Sequence, residues 1–209
     1  MLDEDDEATV LWRSPFGILR TIRNVEAWTD EQVWARVRSG EPEGFGLIWD
    51  RHRDRVFHRL LRDGTPPNDG EDLTAVVFLE LWRHRESVRI VEGSLLPWLI
   101  VTAGNVARNA RRGQKRYRTF LARLPQPDVT APGDIGEEDA RAPALREAVA
   151  GLGRVDRELL MLTAVEGFTV SASAQALGLS VGAAKTRLSR LRRRLRSTVD
   201  SAMVEGEPT

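Results

Sequence analysis

The 209-residue sequence contains no cysteine, and aromatic residues make up 6% of it. The absence of cysteine excludes a disulfide framework, a thiolate metal site and a cysteine nucleophile, and it suits a reducing compartment. No apolar run approaches the ~20 residues that a membrane-spanning helix needs. The acidic start of the chain also lacks the basic segment of a secretory signal. We therefore expect a cytoplasmic protein without membrane insertion.

Net charge is absent as well, because 31 lysines and arginines balance 31 aspartates and glutamates. The charges are nevertheless segregated along the chain. Acidic residues crowd segments 3–7 and 134–139, whereas arginines collect in segments 105–118 and 185–196. Segregation of this kind is typical of a protein that binds a polyanion with part of its surface.

The sequence offers no constellation of residues for catalysis, for a metal or for a cofactor. Two of its three histidines, His52 and His58, sit among the arginines of one predicted helix, which favours structural histidines over metal ligands. The acidic pair Glu71-Asp72 has no nucleophile or glycine-rich loop beside it, so helix capping or partner contact is the better interpretation. We expect a protein that is not an enzyme.

Apolar residues recur at helical spacing, and no useful stretch alternates with period two. Thr29 and Gln32 stand in the relation of a capping box, and Ser39-Gly40 ends that first helix. The segment "RDGTPPNDG", residues 62–70, ends a second helix and predicts a third from Asn68 or Asp69. Ser94 is a candidate cap for a fourth. The pattern predicts an all-α fold.

Turn-forming and charged segments predict two small helical domains joined by a flexible linker. Residues 1–27 form an N-terminal extension that we expect to be disordered, and residues 28–120 form the first domain. Residues 121–140, rich in proline, glycine and acids, form the linker. Residues 141–198 form the second domain, and residues 199–209 are a tail.

Residues 168–195 predict a helix-turn-helix in the second domain. Gly178 suits the unusual backbone conformation of the turn, and Ser180 caps the second helix. From Lys185 to Arg196 no acid interrupts the cations. A helix that merely faces water would alternate its arginines with glutamates four residues apart. The pattern therefore favours DNA as an anionic partner, with small hydroxyls and cations near the helix start to read bases.

A second acid-free stretch, "NVARNARRGQKRYR", covers residues 105–118. Single-stranded DNA is held by cations that follow the backbone and by planar side chains that stack on bases, and Tyr117 offers such a face. The alternative is a basic helix end that complements its own dipole.

These segments, in this order, resemble the extracytoplasmic-function class of bacterial RNA polymerase sigma factors over about residues 29–197. "FGLIWDRHRDRVFHRLL" is similar to the opening helix of sigma region two, and "EDLTAVVFLELWRHR" to its polymerase-binding segment. "GSLLPWLIVTAGNVARNARR" resembles the segment that melts and reads the minus-ten promoter element, and residues 145–195 resemble region four. The resemblance implies a factor that binds core RNA polymerase, directs it to promoter DNA, helps to open it, and is held by an anti-sigma factor.

The resemblance also implies three sets of site residues. The set for core polymerase is Asp72, Phe78, Leu79, Leu81 and Trp82. The set for the minus-ten element, where a base flips out beside Asn105, is Asn105, Arg108, Asn109, Arg111, Arg112, Lys115 and Arg116. The set for the minus-thirty-five element is Ser180, Val181, Ala183, Lys185, Thr186, Arg187, Ser189 and Arg190.

Some positions depart from the family pattern. Ala75 and Val76 replace a Gln-Glu pair on the polymerase-binding helix, which puts the strength of core binding in question. Ser173 stands where the first helix of the helix-turn-helix normally buries an isoleucine, and Ala184 replaces a valine. Two alternatives remain open at this point: a helix-turn-helix regulator that binds an operator as a dimer, and a degenerate sigma factor that acts mainly through protein partners.

Overall fold

The computed structural model describes residues 9–13, 19–23, 28–121, 147–149 and 151–204. The chain divides into two compact units, Met1–Val106 and Ala107–Thr209, and the described helices confirm the predicted all-α class. The division falls inside the helix Leu96–Leu121, ahead of the boundary predicted at residue 120. Residues 122–140, nearly all of the predicted linker, lie outside the described residues, so the predicted domain boundaries stay predictions.

A short antiparallel hairpin is the exception to the helical architecture. Strand β1 covers Thr9–Arg13 and strand β2 covers Leu19–Arg23, with Val10 opposite Ile22. The predicted disorder of residues 1–27 is therefore wrong for these two strands. Valine, leucine, tryptophan and isoleucine favour extended backbone, and a proline and a glycine stand in the sequence between the two strands.

Four helices follow: α1 Asp30–Arg38, α2 Gly44–Arg62, α3 Pro67–Arg83 and α4 Leu96–Leu121, the last of which begins in the first unit and continues into the second. The capping box of α1 is confirmed, because Gln32 N–H donates to Thr29 Oγ1 and Thr29 N–H donates to Gln32 Oε1. Ser94 caps α4 as predicted, through the Leu96 N–H. Helix α3 begins earlier than predicted, at Pro67, because a proline in the first turn needs no hydrogen-bond partner there.

Aromatic rings fill much of the core between α1, α2 and α3. Trp34 is fully buried, as its place on a helix stripe predicts. Phe45 lies 6.2 Å from Phe78 and 5.5 Å from Trp82, both in edge-to-face geometry, and Trp49 lies 4.6 Å from Phe78. Edge-to-face pairs set a fixed distance and angle between rings, so this cluster holds α3 against α2 in one orientation.

A buried carboxylate joins three of these helices. Asp30, the first residue of α1, has a side chain 7% exposed. Its Oδ2 accepts hydrogen bonds from Ser94 Oγ at 3.0 Å and from the Leu95 N–H at 2.9 Å, which immediately precede α4. From α2, His52 Nε2 lies 2.7 Å from Oδ2, and Arg51 Nη1 donates to Oδ1 at 3.2 Å. Asp30 thereby connects the starts of α1 and α4 with the middle of α2.

The donors around Asp30 decide the charge of that carboxyl group. Burial by itself raises its pKa, but the hydrogen bond and charge of His52, with the bonds from Leu95 and Ser94, outweigh burial and lower the pKa to about 2. Because an ionised carboxylate only accepts, His52 donates from Nε2. His52 is therefore a structural histidine, as the sequence predicts, and among the described residues no group of acids and histidines is arranged to hold a metal.

The second unit contains α5 Arg154–Leu160, a π-helical turn Met161–Val165, α6 Val170–Ala176 and α7 Val181–Val204. Helix α7 extends past the predicted domain end at residue 198. The core is small and aliphatic, and its buried members are Leu152, Leu159, Ala174, Ala184, Leu188 and Leu191. Within the described residues no helix combines the length and hydropathy that crossing a bilayer requires.

The helix-turn-helix of α6 and α7 is confirmed in its turn chemistry. Gly178 has a φ of +66°, a conformation that residues with a Cβ rarely adopt. Ser180 Oγ accepts a hydrogen bond from the Ala183 N–H at 3.2 Å and caps α7. Thr169 caps α6 in the same way through the Ala172 N–H at 3.0 Å. Both helices therefore begin at a hydroxyl cap, which fixes where the outward residues of α7 start.

Replacing Asp30 with asparagine should destabilise the first unit at neutral pH by about 2 kcal/mol, because a lowered pKa means that the ionised form stabilises the fold. Since the folded pKa lies below the unfolded value of about 3.9, this contribution is present above pH ~4 and is lost as the pH falls toward ~2. All six tryptophans lie within residues 12–98, so urea unfolding followed by tryptophan fluorescence reports on this unit.

The matched control is Asp54→Asn on α2, whose carboxylate is exposed. We expect the difference between wild type and Asp30→Asn to shrink as the pH is lowered, while Asp54→Asn stays close to wild type throughout. A difference that is independent of pH would contradict the assigned role of the Asp30 charge.

Candidate nucleic-acid interface

The outward face of α7 carries the residues predicted to read DNA. Every one of them is exposed, from Ser180 to Arg190, whereas Ala184 and Leu188 between them are buried. At 100° per residue, Gly182, Thr186, Ser189 and Arg193 point away from the buried leucines. Thr186 Oγ1 donates to the Gly182 carbonyl at 3.0 Å and keeps its lone pairs for an outside donor. The face carries small side chains at its start and cations beyond it.

One flank of α7 forms a basic groove with the start of α6. Its lining residues include Val170, Lys185, Ser189, Arg192 and Arg196, and its volume is about 620 Å³. The α7 members recur at spacings of four, three and four, so they form one stripe along the helix. Cations in a row at this spacing provide regularly placed donors for the phosphates of a nucleic-acid backbone.

The opposite flank of α7 faces α5. Arg187 Nη1 lies 2.8 Å from Asp156 Oδ1, with the Arg187 side chain 44% exposed and that of Asp156 30% exposed. A Cβ added at Gly151 would lie 3.6 Å from Arg194 Nη2, so this second arginine also turns toward the α5 side. No acid lies near Arg187 within its own helix, but Asp156 from α5 forms an ion pair with it.

Ser173, in α6, is an imperfectly satisfied position in the helix-turn-helix. Its side chain is fully buried, and its hydroxyl has no hydrogen-bond partner within the described part of the chain. The backbone around it is intact, because the Ser173 N–H donates to the Thr169 carbonyl and the Leu177 N–H donates to the Ser173 carbonyl. A buried hydroxyl without a partner lowers stability. The predicted departure from an apolar residue therefore has a structural consequence in α6.

The basic segment of α4 lies along the helix after its buried apolar start. Ala103 and Ala107 are buried and Asn105 is half-buried, whereas Asn109, Arg111 and all later cations up to Arg116 are exposed. A groove of about 680 Å³ is lined by Asn109, Arg112, Lys115, Arg116, Thr119 and Phe120. Tyr117 and Phe120 are 63% and 61% exposed. Exposed rings beside cations supply both elements that hold single-stranded nucleic acid.

Arg108 differs from the other cations of this segment. Its side chain is 18% exposed, and its Nη2 lies 3.5 Å from Oε1 of Glu158, which is itself 1% exposed. Both residues belong to the second compact unit. Arg108 is thus engaged with a carboxylate in this structure, whereas Arg112, Lys115 and Arg116 are exposed to solvent.

The residues predicted to bind core polymerase separate into two groups on α3. Phe78 and Leu81 are buried in the core and Trp82 is half-buried, so Phe78 and Leu81 support the surface from behind. Asp72 and Leu79 are exposed. The structure brings Asp72 and Leu79 onto one outward face and places the other three beneath it.

Two further residues share that exposed face and were not among the predicted site residues. Ala75 and Val76, identified there as departures, are exposed and lie between Asp72 and Leu79 at spacings of three and four. Val76 is 39% exposed and Leu79 is 45% exposed. We call Asp72, Ala75, Val76 and Leu79 the α3 stripe. Helical spacing on the side of α3 opposite the buried Val77 and Leu81 is the signal that could have found it.

Comparisons with known proteins match two separate regions of the chain to known families. Residues 48–117 match the family model described as sigma-70 region 2, and residues 143–195 match that of sigma-70, region 4. The chain is 31% identical to the RNA polymerase sigma factor CarQ of Myxococcus xanthus over 178 residues, covering 81% of this chain and 97% of CarQ. It is 28% identical over 157 residues to the ECF RNA polymerase sigma factor SigK of Mycolicibacterium vanbaalenii, covering 73% of this chain and 80% of SigK.

A solved structure shares the fold. The structure of CnrH in complex with the cytosolic domain of CnrY aligns with a TM-score of 0.56 and 24% identity, covering 82% of this chain and 97% of that chain. This likeness concerns the helical architecture alone.

Replacing Ser173 with alanine should stabilise the second unit by about 1 kcal/mol, because it removes a buried hydroxyl that lacks a partner. Ser171→Ala on the same helix is the matched control, since Ser171 is exposed and both changes raise helix propensity equally. Backbone hydrogen exchange at Leu177 and Leu179 measures the stability of this unit directly. Equal protection in the two variants would show that the hydroxyl carries no penalty.

Proposed function

The chain belongs to the extracytoplasmic-function class of bacterial RNA polymerase sigma factors, and from this premise we propose how its surfaces share the steps of transcription initiation. The chain binds core RNA polymerase, directs it to promoters and takes part in opening the DNA. The observation that carries the residue assignments is the presence of two acid-free cationic helix surfaces, on α4 and α7, and of an exposed apolar stripe on α3.

The α3 stripe is the surface for core polymerase. Val76 and Leu79 expose apolar side chains that gain free energy when a partner covers them. Asp72 adds a charge at the edge of the stripe, where it orients the partner more than it strengthens binding. The Ala75-Val76 pair thus replaces polar contacts by apolar ones on the same face.

The basic segment of α4 holds the melted non-template strand at the minus-ten element. The exposed cations from Arg111 to Arg116 follow the phosphates, and Tyr117 and Phe120 offer stacking faces. Asn105 is half-buried one turn before this surface, a position suited to hydrogen-bond the edge of a base that has left the stack. Unstacking a base costs a few kcal/mol, about what such contacts return.

Helix α7 reads the minus-thirty-five element in the major groove. Its capped N-terminal turn presents Ser180, Val181 and Ala183, small side chains that let the backbone come close to the base edges. Lys185 and Ser189 follow with donors for bases and phosphates, and the Thr186 hydroxyl offers acceptor lone pairs. The cations of the second half of the helix bind phosphates and set the salt dependence of binding.

We further infer the setting in which these surfaces work. The family acts as initiation factors rather than catalysts, and no covalent step is assigned to this chain. Its partners are core polymerase, promoter DNA and an anti-sigma factor, the last because the family resemblance implies one and because CnrH, which shares the fold, was solved in complex with the cytosolic domain of CnrY. Because core polymerase and the bacterial chromosome are in the cytoplasm, we infer that the protein acts there.

Run-off transcription with purified core polymerase and a genomic fragment pool tests the function. The full chain should yield discrete transcripts that core polymerase alone does not produce. Leu79→Asp should weaken core binding by about tenfold or more, because it places a charge where an apolar contact is buried. The control is Glu86→Ala, an exposed acid beyond α3. A pool without any chain-dependent transcript would overturn the function, and unchanged core binding by Leu79→Asp would overturn the role of the α3 stripe.

Asn105→Ala should impair DNA melting more than promoter binding, with open complexes reduced about tenfold through the lost base contact. Permanganate footprinting measures unstacked thymines, and filter binding on the same promoter measures the closed complex. Lys115→Ala is the contrasting variant, since loss of a phosphate contact should weaken binding and flatten its salt dependence. Equal melting by Asn105→Ala and wild type would remove Asn105 from the reader.

A further inference from the structure

Arg187 occupies an edge of the recognition helix rather than its outermost line. It lies four residues before Leu191, and residues at that spacing share a helix face. Leu191 is 4% exposed and belongs to the aliphatic core. The Arg187 side chain therefore starts beside the core and passes outward along the α5 side of α7.

Asp156 meets the guanidinium on that side. The carboxylate stands in the first turn of α5, and α5 is anchored by Leu159, which is fully buried. The contact joins Arg187 Nη1 to Asp156 Oδ1 at 2.8 Å and is direct. Both ends of the pair are thus attached to well-packed helices, so the direction in which the guanidinium points is set before DNA arrives.

The pair leaves donors over for a second partner. A guanidinium carries five N–H donors in a rigid fork, and the bond to Asp156 uses Nη1. With 44% of its side chain exposed, Arg187 still reaches solvent. An arginine whose rotamer is already restricted loses less freedom when it binds a base edge. The neighbouring Asp156 also disfavours contacts between Arg187 and DNA phosphates, because its carboxylate repels a phosphate that approaches the guanidinium.

We propose that Asp156 is a positioning residue for promoter reading: it aims Arg187 at the base edges of the minus-thirty-five element and suppresses its binding to phosphates of unrelated sequence. This inference rests on the proposed function of α7. It adds α5, a helix outside the helix-turn-helix, to the determinants of sequence choice. Arg190 provides the contrast, because within the described residues it is exposed and no acid pairs with it.

The proposal predicts two opposite effects of Asp156→Ala. Selection of the preferred minus-thirty-five sequence should fall roughly fivefold, a size typical of coupled neighbouring residues. Binding to unrelated DNA should rise at low salt, because one negative charge near the phosphates is gone. Asp156→Asn keeps an acceptor oxygen without the charge, so it should retain part of the selection and show the same rise in unrelated binding.

The test uses holoenzyme formed from the full chain and core RNA polymerase. Holoenzyme with each variant is bound to a pool of duplexes randomised in sequence, and the bound fraction is sequenced to give the enrichment of the preferred motif over the pool. Asp156→Ala is measured alone, with Arg187→Ala and with Arg190→Ala, as two double-mutant cycles. Thermal unfolding of each variant by circular dichroism identifies any loss of folding, in which case Asp156→Asn takes the place of Asp156→Ala.

The expected result is that Asp156→Ala lowers enrichment in the wild-type and Arg190→Ala backgrounds and leaves it unchanged in the Arg187→Ala background. A merely structural role would move the unfolding temperature and reduce enrichment equally in all three backgrounds, and that result would overturn the proposal. Unchanged enrichment with Asp156→Ala would overturn it too, while α7 could still read DNA. A wild-type holoenzyme that enriches no motif would instead overturn the function proposed for α7, and this inference with it.

Discussion

A carboxylate removed from water is stable only if donors replace the water, and Asp30 places that requirement at the centre of the first unit. Its donors come from the middle of α2 and from the two residues that precede α4. Because one side chain accepts from all of them, a shift of any of these segments leaves a buried charge without part of its solvation. The start of α4 is therefore coupled to the position of α1.

Helix α3 combines a buried side that packs in the core with an exposed side that we propose binds core polymerase. Phe78 and Leu81 are buried inward, where Phe78 meets the rings of Phe45 and Trp49, while the α3 stripe faces out. The rigid side supports the exposed side, because edge-to-face rings resist rotation of the helix. Ala75 and Val76 replace the polar pair of the family pattern. They change the chemistry of the proposed polymerase contact and leave its position on α3 unaltered.

Two features lower the stability of the second unit. Its core is aliphatic and small, and inside α6 Ser173 buries a hydroxyl that has no hydrogen-bond partner among the described residues. On the surface, α7 gathers cations that repel one another unless an anion is present. The structure relieves this repulsion at Arg187 through Asp156. Under the function proposed for α7, stability and binding are connected, since DNA phosphates would neutralise the charges that weaken the free helix.

Local patterns determined much of this protein. Helical spacing, hydroxyl caps at Thr29, Ser94 and Ser180, and the glycine turn at Gly178 depend on neighbours within a few residues, so the helices and the helix-turn-helix were predictable. Two features lay beyond such reasoning: the pairing of Asp30 with Ser94 and Leu95, and that of Asp156 with Arg187. Both join residues far apart in the chain, and no local pattern records which acid will meet which donor. Only the tertiary structure determines these pairs, because packing brings those helices together and sets which donor lies near each buried or crowded carboxylate.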